Sequence, residues 1–172
     1  VAKDGTMYTG ENLFEIENYR NLPELFKNAQ RVTFIKENGA VLMHILDRKR
    51  FKKTPDRAVD LAFPIVHGTN CEDGTMAGYF EFLGLPYISC DIISAAVGMD
   101  KAVFKDVLKS AGLPVLDCVK FRAREYTIDK DTVTDKIKSQ IGFPLIVKPV
   151  NLGSSVGITK VNTENELDDA IR

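Results

Sequence analysis

Residues 144–161, PLIVKPVNLGSSVGITKV, join a lysine at the end of an apolar run to a loop holding two glycines and two serines. Alternation along the run predicts a strand that sets Lys148 on the same side as Ile146. If that side is covered, an ammonium there costs several kcal/mol of desolvation unless an anion meets it. Gly153 and Gly157 permit positive φ and close backbone approach. Between them Ser154, Ser155 and Val156 offer two hydroxyls and a row of backbone N–H groups, the makings of a phosphate-binding nest. Because Lys148 precedes the glycines, the segment matches neither the P-loop nor the dinucleotide fingerprint. The same residues equally describe a polar hairpin tip beside a lysine that snorkels to water.

Two further segments carry chemistry. In Met99-Asp100-Lys101 the aspartate is placed to cap a helix, which puts Lys101 in the first turn against the positive end of the macrodipole. A phosphate bound at that helix start reverses the sign of the interaction, so Lys101 and Lys148 can face one nucleotide; the plainer alternative is an exposed lysine tolerated beside Asp100. HGTNCEDGT, residues 67–75, follows an apolar run and precedes a helical pattern, which sets His67 and Glu72 where open α/β sheets bind ligands. His67 can donate to a carboxylate, and Glu72 can orient an imidazole or accept from an ammonium. The structural alternative is a turn with His67 bonded to a loop carbonyl and Asp73 capping the next helix. One His, one Cys and two acids in a single turn lack paired ligand spacing, so no metal site is expected in this chain.

These groups need elements to hold them. RVTFIK and AVLMHIL read as two strands joined through Asn38-Gly39, whose positive φ angles suit a tight hairpin. DLAFPIV, residues 60–66, reads as a strand covered on both faces, although Pro64 removes a ladder donor. Met76, Tyr79, Phe80 and Leu83 share a helix face that ends at Gly84, and a short strand YIS follows. Residues 92–99 read as a helix. A third helix after Asp100 aligns Phe104, Val107, Leu108 and Ala111. VLDCVKF then reads as a strand, Val133, Ile137 and Ile141 mark a helix, and the glycine-serine hairpin follows. This alternation predicts α/β layers, with a domain boundary near Cys90.

Composition narrows the class. The 172 residues suffice for one ordinary domain or two small ones with a packed core. Lys plus Arg number 23 against 24 Asp plus Glu, so no overall field recruits nucleic acid or an anionic membrane, and the basic stretch Arg48-Lys49-Arg50-Phe51-Lys52-Lys53 reads as a solvated loop. No apolar run approaches the roughly 20 residues of a membrane span. Three cysteines without metal spacing, and no signal-like start, read as a reduced, cytoplasmic chain. The start, without Met or helix cap, resembles a strand whose beginning is missing. At the other end Thr163 and Glu166 form a capping box ahead of an apolar stripe that Arg172 cuts short, so a fragment is expected.

In this order, AFPIVHGTNCEDGTMAGYFEFLGLPYIS, SAAVGMDKAVFKDVLKSAGLPV and FPLIVKPVNLGSSVGITKV resemble the D-alanine–D-alanine ligases of the ATP-grasp superfamily, including the vancomycin-resistance branch. The resemblance implies a substrate-side domain over 1–90 with a parallel (pre-ATP-grasp) sheet, and over 91–172 part of the central ATP-grasp α+β lobe. It implies ATP-dependent joining of two D-alanine molecules through an acyl phosphate, for peptidoglycan precursors, in a protein that is a homodimer at full length. Lys101 and Lys148 match lysines that hold ATP phosphates, and Gly153, Ser154, Ser155, Val156 and Gly157 match the loop that closes over them. Ser154 matches the hydroxyl of a catalytic and substrate-site network, while His67 and Glu72 match groups near the first substrate. Cys71 stands where the family pattern carries Gly. The magnesium ligands that the family uses are expected in a C-terminal lobe beyond this stretch, which by itself is expected to show no turnover. Two other readings stay open: a non-catalytic nucleotide-binding module, and a ligase taking D-serine or D-lactate second.

Overall fold

The computed structural model describes residues 1–47 and 55–172. The basic stretch 48–53 lies outside the described residues. The chain divides into two compact units, Val1–Ile65 with Ala77–Ser89, and Val66–Met76 with Cys90–Arg172. The second unit resumes at Cys90, and the HGTNCEDGT turn groups with it.

The first unit is built on an antiparallel sheet in the order β1 (Met7–Thr9), β2 (Gln30–Glu37), β3 (Ala40–Ile45), β4 (Arg57–Ala58). The β2–β3 hairpin turns through Asn38 and Gly39 at φ of 51° and 82°, the left-handed pair a two-residue loop requires. Register pairs Val32 with Ile45 and Phe34 with Met43, so these four share one face. A short helix α1 (Leu22–Lys27), capped by the Asn21 side chain, buries Leu25, and the Tyr8 and Phe26 rings stack at 4.5 Å. Helix α2 (Thr75–Leu83) brings Ala77, Phe80 and Leu83 into the buried set, and its Tyr79 donates to the Phe34 carbonyl at 3.4 Å.

The expected parallel sheet is not formed among the described residues. Residues 60–66 contribute one parallel bridge, Ala62 to Tyr87, with Ala62 N–H on the Pro86 carbonyl at 2.8 Å and Ile88 N–H on the Ala62 carbonyl at 2.9 Å. Phe63 and Ile65 are 66% and 78% exposed, so this run is not covered on both faces. Pro64 has no N–H to extend the ladder, and the expected strand at Tyr87 shrinks to the same bridge. The helix–sheet mixture stands, while the sheet that orders the first unit is local and antiparallel.

In the second unit, helices α3 (Ile92–Met99), α4 (Lys101–Ser110), α5 (Ala123–Ile128) and α6 (Lys130–Gln140) precede the hairpin β5 (Leu145–Val147) and β6 (Thr159–Val161), and α7 (Leu167–Ile171) closes the unit. Asp91 and Asp100 cap α3 and α4, each accepting backbone N–H groups of the first turn. The core gathers Tyr126, Val133, Ile137, Val161 and Leu167, with Leu145 and Val147 against it. One face of the hairpin is thereby covered. The other is open, with Ile146 62% exposed. The stripe on α4 is not buried, since Phe104 and Val107 stay largely exposed. VLDCVKF forms no strand. No third strand joins the hairpin among the described residues, and lysines hold this stretch instead: Lys105 donates to the Leu116 carbonyl, and Lys120 to the Ala102 carbonyl at 2.7 Å and to Asp106.

Asp168 ties α7 down by accepting from Lys130 at 3.0 Å, Arg172 at 2.9 Å and the Tyr126 hydroxyl at 3.3 Å. The Lys130 hydrogen bond, joined by Arg172 and opposed by partial burial, holds its carboxyl below the ordinary carboxylate range. At the expected capping box, Glu166 reaches back to the Asn162 N–H at 2.9 Å and the Thr163 hydroxyl at 3.3 Å, while the Thr163 side chain caps nothing. No described helix is long and apolar enough to cross a membrane.

Leu167 is 1% exposed in this core, so Leu167→Ala is expected to lower the unfolding free energy by about 2–5 kcal/mol in urea titration. A loss below about 1 kcal/mol would show that α7 contributes no packing.

Candidate functional site

The HGTNCEDGT turn is held by its own side chains. Glu72 folds back so that one carboxylate oxygen accepts the Gly68 N–H at 2.6 Å, while the Glu72 N–H donates to the Gly68 carbonyl at 2.9 Å. Its other oxygen lies 3.7 Å from His67 Nδ1, beyond hydrogen-bond length, and the imidazole is 90% exposed. Asp73 accepts from the Asn70 N–H at 2.8 Å and from the Thr75 N–H, the first residue of α2, at 3.0 Å. Burial pushes the Asp73 carboxyl up, but these two amides outweigh it and leave it below the ordinary carboxylate range. The left-handed positions of the turn are Gly68, Asn70 and Gly74, at φ of 82°, 66° and 89°. Cys71 is not among them, so a side chain at position 71 meets no backbone strain. Gly74 is required, because a Cβ there would stand 2.8 Å from the Ile92 carbonyl oxygen.

The second element is the loop between β5 and β6. Ser154, Ser155 and Gly157 have φ of 52°, 60° and 70°, and the Val156 N–H closes on the Gly153 carbonyl at 3.1 Å. Two serines at the central positions of such a turn occupy a conformation costing roughly 1–2 kcal/mol per non-glycine residue. The return arm then packs on Pro149, where a Cβ on Gly157 would lie 2.7 Å from Pro149 Cγ. The N–H groups of Ser154, Ser155 and Gly157 find no acceptor among the described residues.

These two elements meet. A cleft of about 410 Å³ within the second unit is lined by His67, Gly68, Thr69 and Glu72 from the turn, Met99 from α3, and Asn151, Leu152, Gly153, Ser154 and Val156 from the loop. Its size, and five polar side chains beside Met99, Leu152 and Val156, suit a small polar ligand. An imidazole that can donate and a carboxylate that can accept, with serine, threonine and asparagine nearby, match the two charges of an amino acid.

Of the residues expected from the sequence, His67, Glu72, Gly153, Ser154 and Val156 share this cleft; Lys101, Lys148, Ser155 and Gly157 do not line it. Lys148 stands just past β5, exposed and without an ion pair or hydrogen bond among the described residues. The covered face invoked for its desolvation is the open face of the hairpin, so burial gives Lys148 no need of a partner. Lys101 turns its ammonium to the Val150 and Leu152 carbonyls. Sequence reasoning missed Thr69, Met99, Asn151 and Leu152. Thr69 and Asn151 sit inside the two segments already singled out, but a polar residue in a loop reads first as a turn former. No group of three His, Cys, Asp or Glu side chains is placed to hold a metal among the described residues.

A family model described as D-ala D-ala ligase N-terminus matches residues 1–90, and one described as D-ala D-ala ligase C-terminus matches residues 107–172. Over 99% of its length the chain is 40% identical to a D-alanine–D-alanine ligase of Acetivibrio thermocellus, of which it covers 41%. Among solved structures it is similar to the VanG D-Ala:D-Ser ligase from Enterococcus faecalis, at 34% identity and a TM-score of 0.71 over 96% of this chain and 45% of that one. It is also similar to the D-alanine–D-alanine ligase from Helicobacter pylori, at 25% identity and a TM-score of 0.75 over 98% and 49%. The chain thus spans less than half the length of each of these relatives.

Gly157→Ala is expected to open the loop at a cost of about 1–2 kcal/mol from φ alone. The readout is faster hydrogen exchange at the Val156 and Ile158 amides with α6 unaffected; unchanged exchange would show that position 157 tolerates a side chain. Asp73→Ala is expected to cost about 0.5–2 kcal/mol at neutral pH, as for a lost cap. The Asp73 carboxyl is lowered in the folded state, so its contribution is full above the unfolded value near 3.9 and fades as pH falls through the lower folded one. Urea titrations of both proteins from pH 7 to 2 should therefore converge at the acid end.

Proposed function

Since the chain belongs to the D-alanine–D-alanine ligase family, we propose that it forms the substrate-side domain (1–90) and part of the ATP-grasp lobe (91–172) of an ATP-dependent, cytoplasmic D-alanine–D-alanine ligase. In this reaction the carboxylate of a first D-alanine takes the γ-phosphoryl group of ATP, releasing ADP. The amine of a second D-alanine, having lost its proton, attacks that acyl carbon, and phosphate leaves as the amide bond forms. The dipeptide serves peptidoglycan precursors, and the full-length protein works as a homodimer.

The observation that carries this reading is the shared cleft: His67 and Glu72 from one segment, and Ser154 from another far along the chain, line one cavity sized for an amino acid. His67 donates to the carboxylate of the first D-alanine, Glu72 accepts from its ammonium, and the Ser154 hydroxyl links the two. The phosphates fit the loop beside it. The unpaired N–H groups of Ser154, Ser155 and Gly157 receive their oxygens in a lid that Gly153 and Val156 complete, with Lys148 and Lys101 supplying positive charge. Phosphoryl transfer also draws on a divalent cation such as Mg2+ to neutralise charge. The described residues offer no set of carboxylates for one.

The test is phosphate released from ATP on addition of D-alanine, in a protein carrying this chain at the length of its relatives. His67→Ala is expected to lower D-alanine-dependent release by roughly 10–100-fold, the loss of a charge-assisted hydrogen bond, and to leave ATP affinity within about twofold. Equal loss of both would favour a nucleotide-binding module that performs no ligation. Lys148→Met is expected to weaken ATP binding by about 1.5–3 kcal/mol in equilibrium titration. Unchanged affinity would mean that the exposed ammonium only meets water. Replacing the second D-alanine by D-serine tests the substrate that the similar VanG enzyme's name carries.

A further inference from the structure

Lys101 opens α4, yet its ammonium is engaged by protein. Nζ donates to the Val150 carbonyl at 3.1 Å and to the Leu152 carbonyl at 2.5 Å, and its backbone N–H reaches the same Val150 carbonyl at 3.2 Å. Among the described residues these are the hydrogen bonds that tie the backbone of residues 150–152 to the rest of the unit. The stretch they hold leads directly into Gly153 and Ser154 and supplies Asn151 and Leu152 to the cleft wall.

We propose that Lys101 is a positioning residue: its ammonium clamps residues 150–152 to the start of α4 and thereby sets where the glycine-serine turn stands beside the cleft. The electrostatics favour this arrangement. A cation in the first turn opposes the helix macrodipole, and two carbonyl dipoles directed at Nζ offset that. A turn strained at both serines needs an anchor on its entry side, because its exit is already wedged by Gly157 against Pro149. An ammonium has three donors, of which the clamp uses two, so one N–H remains for an anion. On the ligase reading above, that third donor meets a phosphate oxygen while the clamp stays closed, linking nucleotide occupancy to loop position through one nitrogen. The clamp itself requires no ligand.

Hydrogen exchange of the 152–157 amides, measured without nucleotide, tests it. Of these only the Val156 N–H is bonded among the described residues, to the Gly153 carbonyl, so it is the readout, with the Lys101 N–H on the Val150 carbonyl beside it. Lys101→Met is expected to speed exchange at both about three- to tenfold while α6 stays as protected as before, in keeping with loss of a net hydrogen-bond contribution. Lys101→Arg, whose guanidinium can serve two carbonyls, is expected to restore part of the protection. Unchanged exchange in the Met variant, or no rescue by Arg, overturns the proposal. If the Met variant does not fold, the unsubstituted chain still decides. Nuclear magnetic resonance should detect coupling from the Lys101 ammonium nitrogen across hydrogen bonds to the Val150 and Leu152 carbonyl carbons, and its absence overturns the clamp. ATP titration separates the two readings: a clamp that persists in a chain failing to bind ATP refutes the nucleotide role and upholds the positioning role.

Discussion

Left-handed backbone at Ser154, Ser155 and Gly157 is the constraint on which the site depends. A chain adopts that conformation at consecutive non-glycine positions only when its surroundings hold it there. Here the hold comes from both sides: Pro149 leaves no room for a Cβ on Gly157, and the Lys101 ammonium grips the carbonyls on the approach. What the strain yields is a row of N–H groups free of internal acceptors, which is what an anion requires.

The HGTNCEDGT turn follows a parallel logic with different chemistry. Its carboxylates satisfy backbone donors within a few residues, Glu72 at Gly68 and Asp73 at Asn70 and Thr75, so the turn is held by bonds of its own that need no ligand. These bonds leave the His67 ring and one Glu72 oxygen at the cleft. The cysteine at position 71, where the family pattern carries glycine, costs nothing because the residues needing positive φ are its neighbours.

The β5–β6 hairpin rests on the small core around Tyr126, Val133, Ile137, Val161 and Leu167. It covers one face of the β5–β6 hairpin and so fixes the two stems from which the loop springs. Lysines do the work that further strands would do elsewhere: Lys105 and Lys120 lace the stretch after α4 to that helix, and Lys101 laces the loop to it.

Local chemistry was legible in the residues alone. Asn38-Gly39 specified its hairpin, Asp100 its cap, and the glycine-serine spacing its loop, because each depends on groups a few positions apart. Non-local pairing was not legible. Residues 60–66 have the composition of a covered strand, but a strand exists only where a neighbour offers a ladder, and Pro64 with a single bridge to Tyr87 left them without one. The same holds for the lysines. Sequence spacing marked Lys101 and Lys148 as cations able to face one nucleotide or water, and only the tertiary structure decided that Lys148 is exposed and Lys101 is bound to two carbonyls, since a flexible four-carbon stem takes its partner from whatever the fold brings near.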